Sequence, residues 1–322
     1  MKKITKTYLT LALTMSIVIS ACEQDAIEVG TLVPKTVTDD STLPSFTLSD
    51  GTKLHLETFG DPTKPVLIIL HGGPGNSYKP YLAWQPLSNE YFMVFWDQRG
   101  AGLSERVPSS ELTGPQYLKD LDEIGNHFSP ERKFYLIGHS WGGAFAAYYV
   151  QNHPDRVEKL VLMEPGPMNK PAMENTTAAA VDFFNKDLQA FLNNSDYLFP
   201  GNDEAGDYFR MTSKFERQRI EYTDTRQGFR CNYYLNDWRG LWDKSYTADF
   251  TDGIKENFAE EVLFIAGSTQ RLGVAYQREF QAEYFILYEN DVFVIDGADH
   301  YEIIDHPLTL PKIRAYFNQQ IK

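Results

Sequence analysis

Six runs of apolar residues that do not alternate with polar ones divide the chain at intervals. They are Val66–Leu70, Phe92–Trp96, Phe134–Ile137, Leu160–Met163, Val262–Ile265 and Val292–Ile295. Unbroken apolar runs of this length are typical of strands that are buried on both faces. Segments of helical character, such as Gly114–His127 and Ala144–His153, lie between the strands. This alternation predicts an α/β fold with a mostly parallel, doubly wound sheet.

A hairpin precedes these strands, and an insertion interrupts them. Apolar and polar residues alternate on both sides of Asp50-Gly51, which predicts two short antiparallel strands within Ser45–Phe59. Residues 166–250 hold 16 aromatic residues in 85 positions and several helical stretches. We expect this segment to be a helical cap over a substrate pocket, inserted into a core of residues 46–165 and 251–322.

The beginning of the chain has a different pattern. Lysines precede the mostly apolar run Tyr8–Ile19, which predicts a secretory leader over residues 1–21. The run ends in Ile19-Ser20-Ala21-Cys22, which resembles the bacterial lipoprotein signal. That resemblance implies a lipid on Cys22 and a place in the bacterial cell envelope, on its periplasmic or extracellular side. The alternative is a secreted protein without a lipid, in which this cysteine occurs by chance. The polar residues 22–45 are expected to form a tether.

Charge and cysteine content narrow the range of partners. The chain has 30 basic and 44 acidic residues, a net charge of −14 at pH 7, which disfavours binding to nucleic-acid phosphates or an anionic membrane surface. We therefore expect no nucleic-acid partner, and membrane association only through the lipid anchor on Cys22. With that cysteine lipidated, Cys231 has no partner for a disulfide. Metal-ligand spacings and a dinucleotide fingerprint are absent from the sequence, so no metal or cofactor is expected.

The motif Gly138-His139-Ser140-Trp141-Gly142 follows a predicted buried strand and precedes a predicted helix. A serine between two glycines at such a strand-to-helix turn is the pattern of a nucleophile elbow. The flanking glycines leave space for a strained backbone at the serine. Ser140 is therefore the expected nucleophile.

Two further motifs follow the strands before the elbow. His71-Gly72-Gly73-Pro74-Gly75 is placed where an oxyanion loop is expected, with the backbone amides of Gly73 and Trp141 as donors. The alternative for this motif is a plain turn, which glycine and proline also favour. The segment Asp97–Gly102 directly follows the next predicted strand. Its Asp97 and Arg99 are expected to be structural, paired with each other or with loop backbone.

Together the three motifs resemble the α/β-hydrolase superfamily and, within it, the proline iminopeptidase branch. Enzymes of that branch carry HGGPG, WDQRGxGxS and GxSWGG, which stand here as His71–Gly75, Trp96–Ser104 and Gly138–Gly143. The resemblance implies a small-molecule or short-peptide substrate. The branch's Trp-x-x-Trp-Glu stretch is absent, and Met163-Glu164 stands where the branch usually has Arg-Gly. A carboxylesterase therefore remains an alternative to an iminopeptidase.

The base and the acid follow from the order of catalytic residues in this fold, which is serine, acid, histidine. His300, just after the last predicted strand, is the expected base, and His306 is its competitor. The family usually has an aspartate where this chain has Gln270. Glu164 ends the preceding strand and is expected to replace that aspartate, since parallel strands lie about 4.8 Å apart and glutamate is one methylene longer. The alternative is a glutamate that merely opens the cap.

These residues predict a serine hydrolase that cleaves an ester or amide bond through an acyl-enzyme. A catalytically silent lipoprotein that only binds its ligand is the alternative, which Gln270 favours and the presence of Ser140 and His300 disfavours. Epoxide hydrolases and dehalogenases of this fold use an aspartate as nucleophile, so Ser140 argues against both.

Overall fold

The computed structural model describes residues 33–180, 203–213, 226–231, 249–269 and 272–319. Eight strands in these residues form one sheet, in the order β1-β2-β4-β3-β5-β6-β7-β8. They are β1 (Ser45–Thr47), β2 (Lys53–Phe59), β3 (Val66–Leu70), β4 (Phe92–Trp96), β5 (Phe134–His139), β6 (Val157–Met163), β7 (Val262–Gly267) and β8 (Phe293–Ile295). The predicted leader, the predicted lipid site Cys22 and the departure at Gln270 lie outside the described residues.

The strands from β3 to β8 run parallel to one another. At one edge, β2 pairs antiparallel with β4, and β1 pairs antiparallel with β2. Thr47 lies opposite Lys53 across the predicted hairpin. Both the hairpin and the α/β class with a mostly parallel sheet are confirmed.

Helices occupy the segments between the strands. They are α1 (Gly114–Phe128), α2 (Trp141–Asn152), α3 (Lys170–Ala180), α4 (Asp203–Ser213), α5 (Ile254–Asn257), α6 (Val274–Phe280), α7 (Glu302–Asp305) and α8 (Thr309–Phe317). Short 3-10 helices cover Lys79–Asn89, Ser109–Glu111, Ala282–Tyr284 and Tyr288–Asn290. Helix α1 begins after Thr113, whose hydroxyl accepts a hydrogen bond from the Gln116 amide. No helix in the described ranges is both long enough and apolar enough to cross a membrane.

Each buried strand contributes to two hydrophobic cores, one on each face of the sheet. Ile68 of β3 belongs to the core that contains Leu121 of α1 and Phe145 of α2. The next residue, Ile69, belongs to the core that contains Ile313 of α8. Successive side chains of a strand point to opposite faces, so a strand that is apolar throughout must be covered on both. Helices on both faces give the doubly wound arrangement that the sequence predicts.

The boundary of the predicted tether differs in the structure. Val33 and Val37 are buried, and the Val37 amide donates to the Leu103 carbonyl at 2.9 Å. Arg226, from the predicted cap, donates to the Pro34 carbonyl at 3.1 Å. Apolar side chains spaced among the polar ones supply this burial, so residues 33–37 of the predicted tether lie against the folded chain.

Part of the predicted cap is described, including α3 and α4. The carboxylate of Asp207 on α4 accepts hydrogen bonds from Arg106 at 2.9 Å and from Arg226 at 2.7 Å. It also accepts one from the Phe229 amide at 2.6 Å. Asp207 is fully buried, and Arg106 belongs to the core, so this carboxylate joins two cap segments to the core.

Asp97 and Arg99 do not pair with each other, which corrects one of the two arrangements expected from the sequence. Asp97 is fully buried and accepts hydrogen bonds from the ring of His55 and from the amides of Tyr78 and Leu103. Burial opposes the charge on Asp97, but these donors hold its pKa below the usual value. The guanidinium of Arg99 binds a separate set of carboxylates, which are those of Asp50, Glu111 and Asp120.

We expect Arg99→Leu to lower the free energy of unfolding by about 3–5 kcal/mol, because it leaves the carboxylate of Asp120 buried and unpaired. Asp120 accepts two hydrogen bonds from Arg99, each 2.8 Å long. Burial already raises the pKa of Asp120 despite this partner. Equilibrium unfolding in urea measures this decrease in the free energy of unfolding.

Arg278→Leu is the matched control for that substitution. Arg278 also donates twice to one carboxylate, that of Asp291, but both side chains are about half exposed. An exposed pair of this kind contributes about 1 kcal/mol or less. An equal loss of unfolding free energy in the two variants would contradict the larger contribution expected of the buried Arg99–Asp120 pair.

Candidate active site

Ser140 stands at the turn between β5 and α2 with φ 56° and ψ −123°. This is a conformation that strains a residue with a side chain, as expected for a nucleophile elbow. Three backbone hydrogen bonds hold the turn in place. The Ser140 amide donates to the Met163 carbonyl at 3.0 Å, and the Ser140 carbonyl accepts from Gly143 at 2.9 Å and Gly166 at 2.8 Å. The side chain itself is half-buried.

The glycines of the motif are required by close backbone contacts. A Cβ atom on Gly142 would overlap the carbonyl of Leu70, the last residue of β3. A Cβ atom on Gly138 would overlap the carbonyl of Gly142. Since backbone atoms cannot move aside as a side-chain end can, α2 reaches this close to β3 and β5 only with glycine at both positions.

The structure brings Glu164 and His300 together, although 136 residues separate them in sequence. His300 Nδ1 lies 2.6 Å from Glu164 Oε2, and the other carboxylate oxygen accepts a hydrogen bond from the Gly267 amide at 2.7 Å. Glu164 is fully buried, and His300 is 7% exposed. A carboxylate only accepts, so Nδ1 of His300 carries the proton and Nε2 of the neutral ring bears a lone pair.

His306, the competitor of His300, and Asp299, the residue before it, have different partners. His306 accepts a hydrogen bond from the Leu308 amide at 3.3 Å, on the exposed side of the chain. Asp299, which precedes the histidine, accepts hydrogen bonds from the amides of Tyr301 and Glu302. These bonds shape the loop around His300. Glu164 is thus the carboxylate that the structure places on this histidine.

The rings of His139 and His300 pack together with their centroids 4.5 Å apart. His139 directly precedes Ser140, so the packing places the loop of His300 beside the serine turn. The structure contains no hydrogen bond between Ser140 and His300, both of which lie in its described part. Sequence reasoning missed this contact.

Gln98 links the predicted oxyanion loop to the serine turn. Its side chain donates to the His71 carbonyl at 2.9 Å and accepts from the indole of Trp141 at 2.9 Å. Its amide donates to Nε2 of His71 at 3.0 Å. Burial lowers the pKa of His71, so the ring stays neutral and can accept this bond. Sequence reasoning did not single out Gln98, whose position in WDQRGxGxS was the one available signal.

The predicted oxyanion loop lies close to Ser140. A Cβ atom on Gly72 would stand 3.1 Å from the Cβ atom of Ser140. Gly73 adopts φ 132°, a conformation that favours glycine, and its peptide bond to Pro74 is cis. The Gly75 carbonyl accepts a hydrogen bond from the Gly228 amide at 2.8 Å, which ties the loop to a cap segment. In the described ranges, no three His, Cys, Asp or Glu side chains come together as metal ligands.

Comparison with known proteins gives the family. A family model for the alpha/beta hydrolase fold matches residues 65–319. A probable aminopeptidase of Bacillus subtilis (strain 168) is 40% identical over 103 residues, which cover 30% of this chain and 32% of the relative. A probable proline iminopeptidase of Streptomyces coelicolor is 35% identical over 121 residues, which cover 36% of this chain and 37% of the relative. The chain thus spans about a third of the length of these curated relatives.

Solved structures share the fold at low sequence identity. A proline iminopeptidase-related protein of Thermus thermophilus has a TM-score of 0.60 at 20% identity, covering 84% of this chain and 95% of its own. A thermophilic esterase of Thermogutta terrifontis has a TM-score of 0.57 at 19% identity, covering 85% of this chain and 97% of its own. With the family model matched across most of its length, the chain belongs to the α/β-hydrolase family and resembles its proline iminopeptidase branch.

Proposed function

We propose that the protein is a serine hydrolase that cleaves an ester or amide bond through an acyl-enzyme intermediate. Ser140 is the nucleophile, His300 the general base, and Glu164 the acid that orients the histidine. The observation that carries the proposal is the 2.6 Å bond between the fully buried Glu164 carboxylate and His300 Nδ1. A carboxylate held in this way fixes the tautomer of the imidazole and stabilises the imidazolium.

In the first half-reaction, Ser140 Oγ attacks the carbonyl carbon of the substrate and its proton passes to Nε2 of His300. The positive charge on the ring is then stabilised by Glu164, whose second oxygen stays on the Gly267 amide. The amides of Gly73 and Trp141 hold the negative oxygen of the tetrahedral intermediate. Collapse of that intermediate breaks the bond to the leaving group, which takes the proton from Nε2. Water repeats the sequence on the acyl-enzyme.

Glu164 takes the place of the aspartate that the family usually has at the position of Gln270. The arrangement of the sheet supports this assignment. Met163 of β6 lies opposite Ile265 of β7, and the Glu164 amide donates to the Ile265 carbonyl at 3.0 Å. Glu164 therefore follows β6 at the level where β7 ends, beside the loop that carries His300.

The substrate class of the proposal is a small carboxylic ester or a short peptide. Relatives named proline iminopeptidases and an aminopeptidase support an amide of an N-terminal residue. Met163-Glu164, in place of the usual Arg-Gly, supports the carboxylesterase alternative. Prolyl arylamides and aryl esters of short acids are the pair of substrates that separates these two activities.

Fluorophosphonate labelling tests the catalytic residues, because the probe reacts with an activated serine. We expect labelling of the wild type and none of Ser140→Ala. Glu164→Gln should slow labelling by about 10²- to 10⁴-fold, since the amide no longer stabilises the imidazolium. Glu158→Gln, on β6 and half-buried, is the matched control and should label at the wild-type rate. A folded wild type without labelling would instead favour the silent binding protein.

Gln98→Ala tests the support of the proposed oxyanion donors. We expect kcat for an aryl ester to fall by about 10- to 100-fold, because small displacements of positioning groups have effects of this size. KM should change less. The matched control is Gln151→Ala, since that side chain donates to two carbonyls, those of Asp249 and Asp252, on the exposed surface. A Gln98 variant as active as the control would refute this role.

We also propose that Cys22 carries a lipid and anchors the enzyme in the bacterial cell envelope, as the Ile19-Ser20-Ala21-Cys22 sequence implies. Cells that express the full chain should incorporate labelled palmitate into the wild type and into Cys231→Ser. Cys22→Ser should lose the label and leave the membrane fraction, because two acyl chains are needed for stable anchoring. Label in Cys22→Ser would contradict the proposal.

A further inference from the structure

We propose that His139 is a positioning residue, whose neutral ring holds the backbone of the His300 loop against the turn that carries Ser140. The inference rests on the proposed function, since it assigns His300 the role of base. Histidine rings then make three hydrogen bonds that position parts of the site. They join His300 to Glu164, His71 to the Gln98 amide, and His139 to the His300 carbonyl.

The hydrogen bonds of His139 define its tautomer. Its Nε2 lies 2.8 Å from the backbone carbonyl oxygen of His300. A carbonyl oxygen only accepts, so Nε2 carries a proton and donates it. The ring is fully buried, and burial lowers its pKa well below the usual value, with the neighbouring His300 acting in the same direction. The ring is therefore neutral, and its Nδ1 is an acceptor.

Tyr81 supplies the matching donor. Its hydroxyl lies 2.7 Å from Nδ1 of His139 and donates to it, and the same oxygen accepts a hydrogen bond from the Gly72 amide at 2.8 Å. Burial raises the pKa of Tyr81, so the hydroxyl keeps its proton. An unbroken chain of hydrogen bonds thus runs from the oxyanion loop through Tyr81 and His139 to the backbone of His300.

This chain fixes the backbone of the base, whereas Glu164 fixes its ring. His139 is covalently joined to Ser140, so its bond to the His300 carbonyl limits how far the base can move from the nucleophile. A second contact supports the same segment: the indole of Trp84 donates to the Ile304 carbonyl at 2.7 Å. Tyr81 and Trp84 lie on one 3-10 helix, Lys79–Asn89, with their rings 5.1 Å apart. The loop of His300 and helix α7, which follows it, are therefore each held by one of these hydrogen bonds.

Two substitutions at one position separate the two bonds of His139. Glutamine carries an amide N–H at about the reach of imidazole Nε2, so His139→Gln keeps a neutral donor for the His300 carbonyl. Asparagine ends one methylene earlier, at the reach of Nδ1, so His139→Asn can contact Tyr81 but not His300. His127→Asn, at an exposed histidine in helix α1, controls for the substitution type.

The first readout is the steady-state hydrolysis of an aryl ester. We expect His139→Asn to lower kcat by about 10- to 100-fold with KM within about threefold of the wild type, because the base is misplaced while binding is kept. His139→Gln should recover most of kcat. Tyr81→Phe, which removes the donor to Nδ1, should lower kcat less than His139→Asn and provides a second variant if His139→Asn does not fold. Melting temperatures identify variants that retain the fold.

The second readout does not depend on turnover. The proton between His300 Nδ1 and Glu164 gives a downfield NMR resonance, which we expect to persist in His139→Gln and to shift or disappear in His139→Asn. An inactive wild type would refute the proposed function, while this resonance would still report on the positioning by His139. Folded His139→Asn and Tyr81→Phe variants with wild-type kcat and an unchanged resonance would overturn the inference.

Discussion

A buried carboxylate is the constraint on which the site depends. Taking the charge of Glu164 out of water is strongly unfavourable unless donors replace the lost hydration. Two donors do so, the His300 ring at 2.6 Å and the Gly267 amide at 2.7 Å. Both lie beyond β6, one at the end of β7 and one after β8, so three consecutive parallel strands must end at the same edge of the sheet. The position of the proposed base therefore depends on the register of the sheet.

The serine turn depends on the same edge. Ser140 N–H donates to Met163, the residue before Glu164, and Ser140 C=O accepts from Gly166, two residues after it. The strained conformation at Ser140 and the positive φ of 37° at Glu164 are thus held by bonds between adjacent chain segments. The proposed nucleophile and the proposed acid are fixed relative to each other by backbone, with no dependence on the rotamer of either side chain.

Hydrophobic pattern was enough to predict the fold, because strands such as Val66–Leu70 are apolar on both faces and only a doubly covered sheet buries them. The nucleophile-elbow motif made Ser140 the candidate nucleophile, and chain order and strand spacing made His300 and Glu164 the candidate base and acid. The links made by Gln98, Tyr81 and His139 could not be found in this way. Their partners are distant in sequence, 161 residues away for His139 and His300, and depend on packing. The burial of Val37 within the predicted tether was missed because single apolar residues in a polar stretch form no pattern.

The three histidines around Ser140 differ in the groups that face them, and this difference separates their roles. Nδ1 of His300 faces the carboxylate of Glu164 at 2.6 Å. His71 and His139 have no carboxylate as a hydrogen-bond partner among the residues that the structure describes. Each donates to a backbone carbonyl and accepts at its other nitrogen, from the Gln98 amide and the Tyr81 hydroxyl respectively. Burial lowers the pKa of both, and a proton on either would break the bond that its acceptor nitrogen makes. A neutral His139 also adds no charge beside His300, so in the proposed mechanism the imidazolium of His300 meets Glu164 on one side and an uncharged ring on the other. The proposed mechanism thus assigns proton transfer to His300 alone, while His71 and His139 hold backbone segments in place.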